Sequence, residues 1–199
     1  DLRGSTAISE SIEPGEIIPF LNDYAQAAID ANHDAGGEVL KLIGDGVLAM
    51  FTQGNLHDNT AVAKRAALRA EHRFRRNMKA LTARRTAESR RVTSAHVGLH
   101  VGDVFYGNIG SDDRLDFTVV GPAVNEVSRI ASMCRSVDRE LLMSSAFRSG
   151  LDAAGRNYLV STGRYALRGI GRAQDLYTLD PDIAADEVVA GKYERYLAS

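Results

Sequence analysis

Along the chain the spacing of apolar residues changes period several times, and each change marks an element. Ile17, Leu21, Tyr24 and Ala28 follow a 3.6-residue repeat, widened by Ile18, Ala25 and Ile29, and predict a helix over 16–33. Pro14 and Pro19 fall at or before its first turn, where proline is tolerated, and Gly36-Gly37 end it. The period then shortens. Residues 38–43 and 47–51 read as strands folded about Gly44-Asp45-Gly46, because Asp-Gly between apolar runs marks a tight I′-type hairpin turn. Helical spacing returns over 57–83, with Ala63, Ala67, Ala70, Phe74, Met78 and Leu81 on one face. Strands are expected at 91–101 and 103–109, joined at Gly102, and at 114–120, ending on Gly121-Pro122. Pro122 suits the first turn of a helix over 122–134. A short apolar strand at 141–144, a turn of helix at 145–150 and a pair at 158–167 and 175–179 complete the pattern.

Strands and helices alternate with hairpins interleaved, which predicts an α/β (α+β) sandwich whose mixed, mostly antiparallel sheet is covered by helices. The 199 residues are one domain's worth of chain, placed here at 1–180, with 181–199 as a polar C-terminal tail. Charge adds little: 24 Lys plus Arg against 26 Asp plus Glu leaves −2, so no global field calls for nucleic acid or a membrane surface. The single cysteine, Cys134, excludes an intrachain disulfide, fits a reducing compartment and reads as a small buried apolar residue. No apolar run approaches the ~20 residues that span a bilayer, and no signal-peptide pattern opens the chain, so a cytoplasmic setting is expected.

Three segments carry candidate chemistry. Asp45 sits at a hairpin tip, where Asp is favoured by turn geometry alone, and Lys41 alternates with Leu40 and Leu42 and so leaves their shared face. In Asp1-Leu-Arg-Gly-Ser-Thr6, the run Gly4, Ser5, Thr6 ahead of a helix can cradle an anion with backbone N–H groups, or simply cap the helix. It is not a Walker A loop, because no Gly-Lys-Ser/Thr follows. In Thr118-Val-Val-Gly-Pro-Ala-Val-Asn125-Glu-Val-Ser-Arg129, Asn125 and Arg129 stand four residues apart on one helix face, with Val124, Val127 and Ala131 available for the opposite side. An amide beside a guanidinium can hold a ribose oxygen and a phosphate, though one such pair is also what a solvated helix face presents.

Together, and in this order with Gly-Leu-His-Val-Gly-Asp-Val-Phe-Tyr-Gly-Asn-Ile-Gly-Ser (98–111), these segments closely resemble the catalytic domain of class III adenylate/guanylate cyclases, over nearly the whole chain. The resemblance implies a ferredoxin-like βαββαβ core and a head-to-tail homodimer with active sites at the interface. It implies two Mg²⁺ or Mn²⁺ ions per site, held by the carboxylates of Asp1 and Asp45 and the carbonyl of Leu2, hard oxygen ligands that suit these ions. Lys41 and Thr118 fall on the positions that read the purine. Lysine with a hydroxyl matches adenine, whereas guanylate cyclases carry Glu and a small polar residue there. Threonine at the second position marks the bacterial-type subgroup IIIb, some of whose members respond to bicarbonate. Asn125 and Arg129 match the pair that orients the ribose and meets charge on the α-phosphate, and Arg168, with Arg172 as a competitor, matches a basic contact to the terminal phosphates. Pro122 stands where an Asp is common and Ser5 where a Phe is frequent. The strand that the family places ahead of Asp1 is absent from the sequence, so a longer chain with a fused or upstream regulatory domain is expected.

The expected function is thus conversion of ATP to 3′,5′-cyclic AMP and pyrophosphate in signal transduction, by two-metal-assisted attack of the ribose 3′-OH on the α-phosphate. The alternative is a catalytically silent nucleotide-binding or dimerisation domain of the same fold. Between Lys64 and Arg91 stand eleven Lys or Arg and two acidic residues, which could bind nucleic acid, but with one aromatic residue, Phe74, on the apolar face a solvated face or an interdomain contact is the better expectation.

Overall fold

The structure, a computed structural model, describes residues 1–52, 60–111 and 114–199. Helix α1 (Ser5–Ser11) is followed by α2 (Pro14–Asp34), the hairpin β1 (Glu38–Ile43) and β2 (Gly46–Met50), and the long helix α3 (Thr60–Ala87). Then come β3 (Val97–Leu99), β4 (Phe105–Ser111), β5 (Arg114–Val120), α4 (Pro122–Val137), β6 (Leu141–Ser144), α5 (Ser145–Ser149) and α6 (Ala153–Arg156). Strands β7 (Leu159–Tyr165) and β8 (Gln174–Leu179) precede α7 (Asp182–Ala185) and α8 (Glu187–Ala198).

The central sheet runs β3-β6-β8-β7, parallel between β3 and β6 and antiparallel elsewhere, while β1-β2 and β4-β5 form separate antiparallel ribbons. Strand β6 is buried at every position because both sheet faces are covered. Leu141 and Met143 join Leu68, Phe147, Tyr193 and Leu197 on one side, and Leu142 meets Ile130, Cys134 and Leu176 on the other, as a period of two requires. Helices α3 and α8 thus lie on one face and α4 on the other. A third cluster, Phe20, Tyr24, Ala27 and Ala31 against Phe74, Met78 and Leu81, packs α2 on α3.

The predicted α3 face is buried at all six positions, from Ala63 to Leu81; its expected start at 57–59 lies outside the described residues. Four expectations change. Pro19 lies inside α2 rather than at its first turn, and the carbonyl it leaves without an N–H partner belongs to the exposed Gly15. At the β1–β2 turn only Gly44 takes positive φ (62°), so the turn follows the II′ pattern, glycine first, and not I′. The strand expected over 91–101 is regular only at Val97–Leu99, because residues 94–96 pair instead with the N-terminal segment. Residues 182–198 form α7 and α8, and Tyr193, Tyr196 and Leu197 sink into the main core.

The basic run of α3 is largely consumed inside the fold. Arg65 pairs with Asp152, Arg73 with Asp34, Arg75 with Glu71 and Glu140, and Arg84 and Arg85 with Asp23. Arg85 is 1% exposed and lies over the Phe20 ring at 5.2 Å. Burial alone would raise the Asp23 carboxyl, but the hydrogen bonds from Arg85 and Arg84 outweigh it and hold the group below its ordinary value. Its contribution to stability is therefore full above the ordinary carboxylate range and is lost as pH falls through the lowered folded value. Asp23→Asn is expected to cost about 2–3 kcal/mol at pH 7, since it leaves a buried guanidinium without its counter-charge, and the cost should be smaller at pH 2. Chemical denaturation at the two pH values checks this; equal losses at both would show that the pair does not stabilise the fold.

Candidate active site

Asp1 and Asp45 come together from opposite ends of a polar junction. The N-terminal segment lies antiparallel to 94–96: the Asp1 carbonyl accepts from the His96 N–H (2.8 Å), and the Arg3 N–H donates to the Ser94 carbonyl (2.9 Å). At Leu2, between those two bonds, the peptide groups face away from this partner, and its N–H donates to Asp45 Oδ2 at 3.3 Å. The hairpin tip is thereby tied to the chain start. Asp1 Oδ1 stands 3.5 Å from where a β-carbon on Gly46 would lie, so both carboxylates border the same turn. Leu2 is anchored by its side chain, which is buried beneath α2 and α3. Two carboxylates with a backbone carbonyl directed toward the same edge are a donor set for a hard divalent cation whose remaining ligands are phosphates and water. No cluster of three or more His, Cys, Asp or Glu occurs among the described residues.

Gly4, with φ of 70°, starts α1 at Ser5, and its carbonyl accepts the Ile8 N–H. Ser5 and Thr6 thus stand in the first turn, three and four residues beyond Leu2; neither caps the helix through its side chain. Lys41 is half-buried in β1 opposite Leu48. Thr118 stands opposite Gly107 in β5, placed by its backbone, and β1 packs beside β5, so the strands that carry Lys41 and Thr118 are neighbours.

Asn125 and Arg129 are both exposed on α4. The inward side of α4 is Ala123, Ile130 and Cys134, with Val124, Val127 and Ala131 half-buried beside them. Burial pushes the Cys134 thiol up to about 11 and leaves it inert at neutral pH, as expected for a packing residue. Arg168 and Arg172 are exposed on the β7–β8 connection.

One chain does not gather all these groups. A cavity of about 820 Å³ lies between β2 and the β3 side of the sheet, with Asp1, Asp45 and Gly46 at its rim. Its interior is mainly apolar, including Val47, Ala49, Phe51, Val97, Leu99 and Phe147, which is no setting for a triphosphate. From α4 it meets Ala123, Val124, Val127, Ser128 and Ala131, while Asn125 and Arg129 lie outside it.

Sequence reasoning missed a buried polar network beneath α4. His100 Nδ1 is 2.9 Å from Ser144 Oγ, its Nε2 is 3.7 Å from Glu126 Oε2, and Gln174 donates to Glu126 Oε1. The alternation Gly98-x-His100-x-Gly102 was the one local signal; nothing in spacing links Glu126 to Gln174.

A mixed sheet clasped between α3 and α4 is the architecture of the class III nucleotidyl cyclases. The adenylyl cyclase CyaB from P. aeruginosa superposes with a TM-score of 0.77 at 26% identity, covering 90% of each chain. The guanylyl cyclase Cya2 shares the fold at a TM-score of 0.75 and 23% identity, over 90% of this chain and 87% of that one. The family model described as "Adenylate and Guanylate cyclase catalytic domain" matches residues 1–180, and the chain belongs to that family. An adenylate cyclase of Anabaena cylindrica is 35% identical over 148 residues, 73% of this chain and 28% of that protein. The matched region is likewise less than a third of the other curated relatives.

Proposed function

We propose that this domain is an adenylate cyclase, converting ATP to 3′,5′-cyclic AMP and pyrophosphate, and that two copies build its active sites between them. The carrying observation is the convergence of Asp1 and Asp45 at the Leu2–Asp45 hydrogen bond, with Asn125 and Arg129 displayed on α4 outside that junction. A two-fold partner that brings its α4 against the carboxylate edge would complete the set twice over. Exposed apolar side chains suit such a contact: Leu42 and Ile43 at the hairpin tip, and Phe105 opposite Val120 at the end of β4–β5.

In this reading Asp1, Asp45 and the Leu2 carbonyl hold Mg²⁺ or Mn²⁺, which when bound supplies charge neutralisation at the phosphates and a more acidic 3′-OH. The first turn of α1, from Gly4 to Thr6, offers backbone N–H groups to the phosphates, and Arg168 or Arg172 meets the terminal ones. Lys41 donates to the adenine edge, and the Thr118 hydroxyl accepts from it. Asn125 orients the ribose, and Arg129 meets charge as it builds on the α-phosphate. A regulatory domain elsewhere in a longer chain and a cytoplasmic setting belong to the same proposal; among the described residues no helix is long and apolar enough to cross a membrane. The mainly apolar cavity would take an extended strand joined ahead of Asp1, continuing the antiparallel pairing along β3, which otherwise pairs only with β6 among the described strands.

Turnover of ATP and of GTP with Mn²⁺, followed by cyclic nucleotide formation, tests the proposal. Preference for ATP supports it; preference for GTP reverses the purine assignment; turnover of neither leaves the silent nucleotide-binding domain. Lys41→Glu is expected to lower kcat/KM for ATP about 10–100-fold, mainly through KM, and to narrow the ATP:GTP ratio. An unchanged ratio would remove Lys41 from purine selection.

A further inference from the structure

Where α4 crosses β3 and its continuation, it is met by backbone rather than by side chains. Gly98, His100 and Gly102 alternate along β3 and its continuation and so face α4 together. A β-carbon on Gly98 would stand 2.8 Å from the Val127 carbonyl oxygen and 2.9 Å from the Ala131 nitrogen, and one on Gly102 would stand 2.8 Å from the Ala123 β-carbon. Two glycines thus set the distance of the helix. Along that edge they do not set its rotation, because glycines offer no teeth to mesh with; Ile130 and Cys134, packed on Leu142 and Leu176, hold the helix further along.

The polar network adds a second constraint, near the first turn of α4. His100 and Glu126 side chains are 8% and 17% exposed, Ser144 is fully buried and Gln174 is 7% exposed. The Ser144 hydroxyl accepts the Phe147 N–H (3.1 Å) at the start of α5, which leaves its proton for His100 Nδ1. The ring proton then sits on Nε2, toward Glu126 Oε2. Gln174, at the start of β8, takes the other carboxylate oxygen. Burial lowers the His100 pKa and the Glu126 charge opposes that shift, so near neutral pH an uncharged ring faces a carboxylate. Burying such a group costs free energy that packing does not require, since an apolar residue would fill the space.

We propose that Glu126 is a positioning residue for Asn125 and Arg129. It is the next residue after Asn125, and Arg129 lies roughly 60° from it around the helix at 3.6 residues per turn. Held by His100 from the continuation of β3 and by Gln174 from β8, it sets the rotation of the first turns of α4 and hence the direction in which both groups point. The proposal rests on the cyclase reading for its effect on turnover, and on geometry alone for its effect on α4.

The test compares wild type, Glu126→Ala and Glu126→Gln by steady-state kinetics on ATP with Mn²⁺ and by nitrogen-15 NMR of the His100 ring and the Arg129 Nε–H. Glu126→Ala should lower kcat about 10–50-fold with KM within about 2-fold. Glu126→Gln keeps an oxygen for Gln174 and should recover to within about 3-fold of wild type. Both should lower the His100 pKa, since both remove the charge that raises it. Wild-type kcat in Glu126→Ala, or a His100 titration indifferent to either change, overturns the proposal. If the wild type turns over neither nucleotide, the cyclase reading falls separately. The Arg129 Nε–H resonance then decides: displaced in Glu126→Ala it sustains positioning, and unmoved it ends it.

Discussion

Arg129→Ala is expected to lower kcat by ~10²–10³-fold, about 3–4 kcal/mol of transition-state stabilisation, while KM for ATP changes little. The asymmetry follows from timing. Charge on the α-phosphate grows as the 3′-OH attacks and pyrophosphate departs, so a guanidinium aimed there acts more strongly on the transition state than on bound ATP. Stability should hold, because Arg129 is exposed and Ala123, Ile130 and Cys134 carry the packing of α4. Kinetics beside a thermal melt separate the outcomes. A variant that unfolds, or that keeps full turnover, makes Arg129 a structural residue.

Asp45→Asn is expected to abolish more, roughly 10³-fold or beyond, or about 4 kcal/mol, because it removes one of two charges that hold the cation and with it the neutralisation of the leaving pyrophosphate. Asparagine keeps an oxygen for the Leu2 N–H, so the tie between hairpin and chain start survives and the melting temperature should move by no more than about 2 °C. Raising Mn²⁺ should recover part of the activity, since a weakened site fills at higher concentration. Unchanged turnover at low Mn²⁺ would exclude Asp45 from the metal site.

Much of the fold was legible in the pattern of residues. The stripe on α3 follows from the 3.6-residue period that local sterics impose, and the hairpin at 38–50 and the strands β5 and β6 from short apolar runs bounded by turn residues. The candidate residues were legible as well, because Asp1, Lys41, Asp45, Asn125 and Arg129 stand in ordered motifs. The misses share one cause. Residues 94–96 look like a continuing strand, but their partner is the N-terminal segment, more than ninety residues away in sequence. The helix at 187–198 has a polar surface, yet Tyr193 and Leu197 meet Leu68 and Met143 in the core.

By itself the sequence determined which segments are helix or strand, where the hairpin turns, and which side chains are candidates for nucleotide and metal chemistry. Those properties depend on neighbours within about one turn or one strand pair, and periodicity records them. Only the tertiary structure decided that Leu2 joins Asp1 to Asp45, that Asn125 and Arg129 face away from that junction within one chain, and that Glu126 sits between His100 and Gln174. These are contacts between elements 26 to 48 residues or more apart, set by how glycine seats and buried polar partners let α4 and the hairpin dock on the sheet. No local pattern encodes a docking angle, because it is the joint outcome of every surface that must be buried at once.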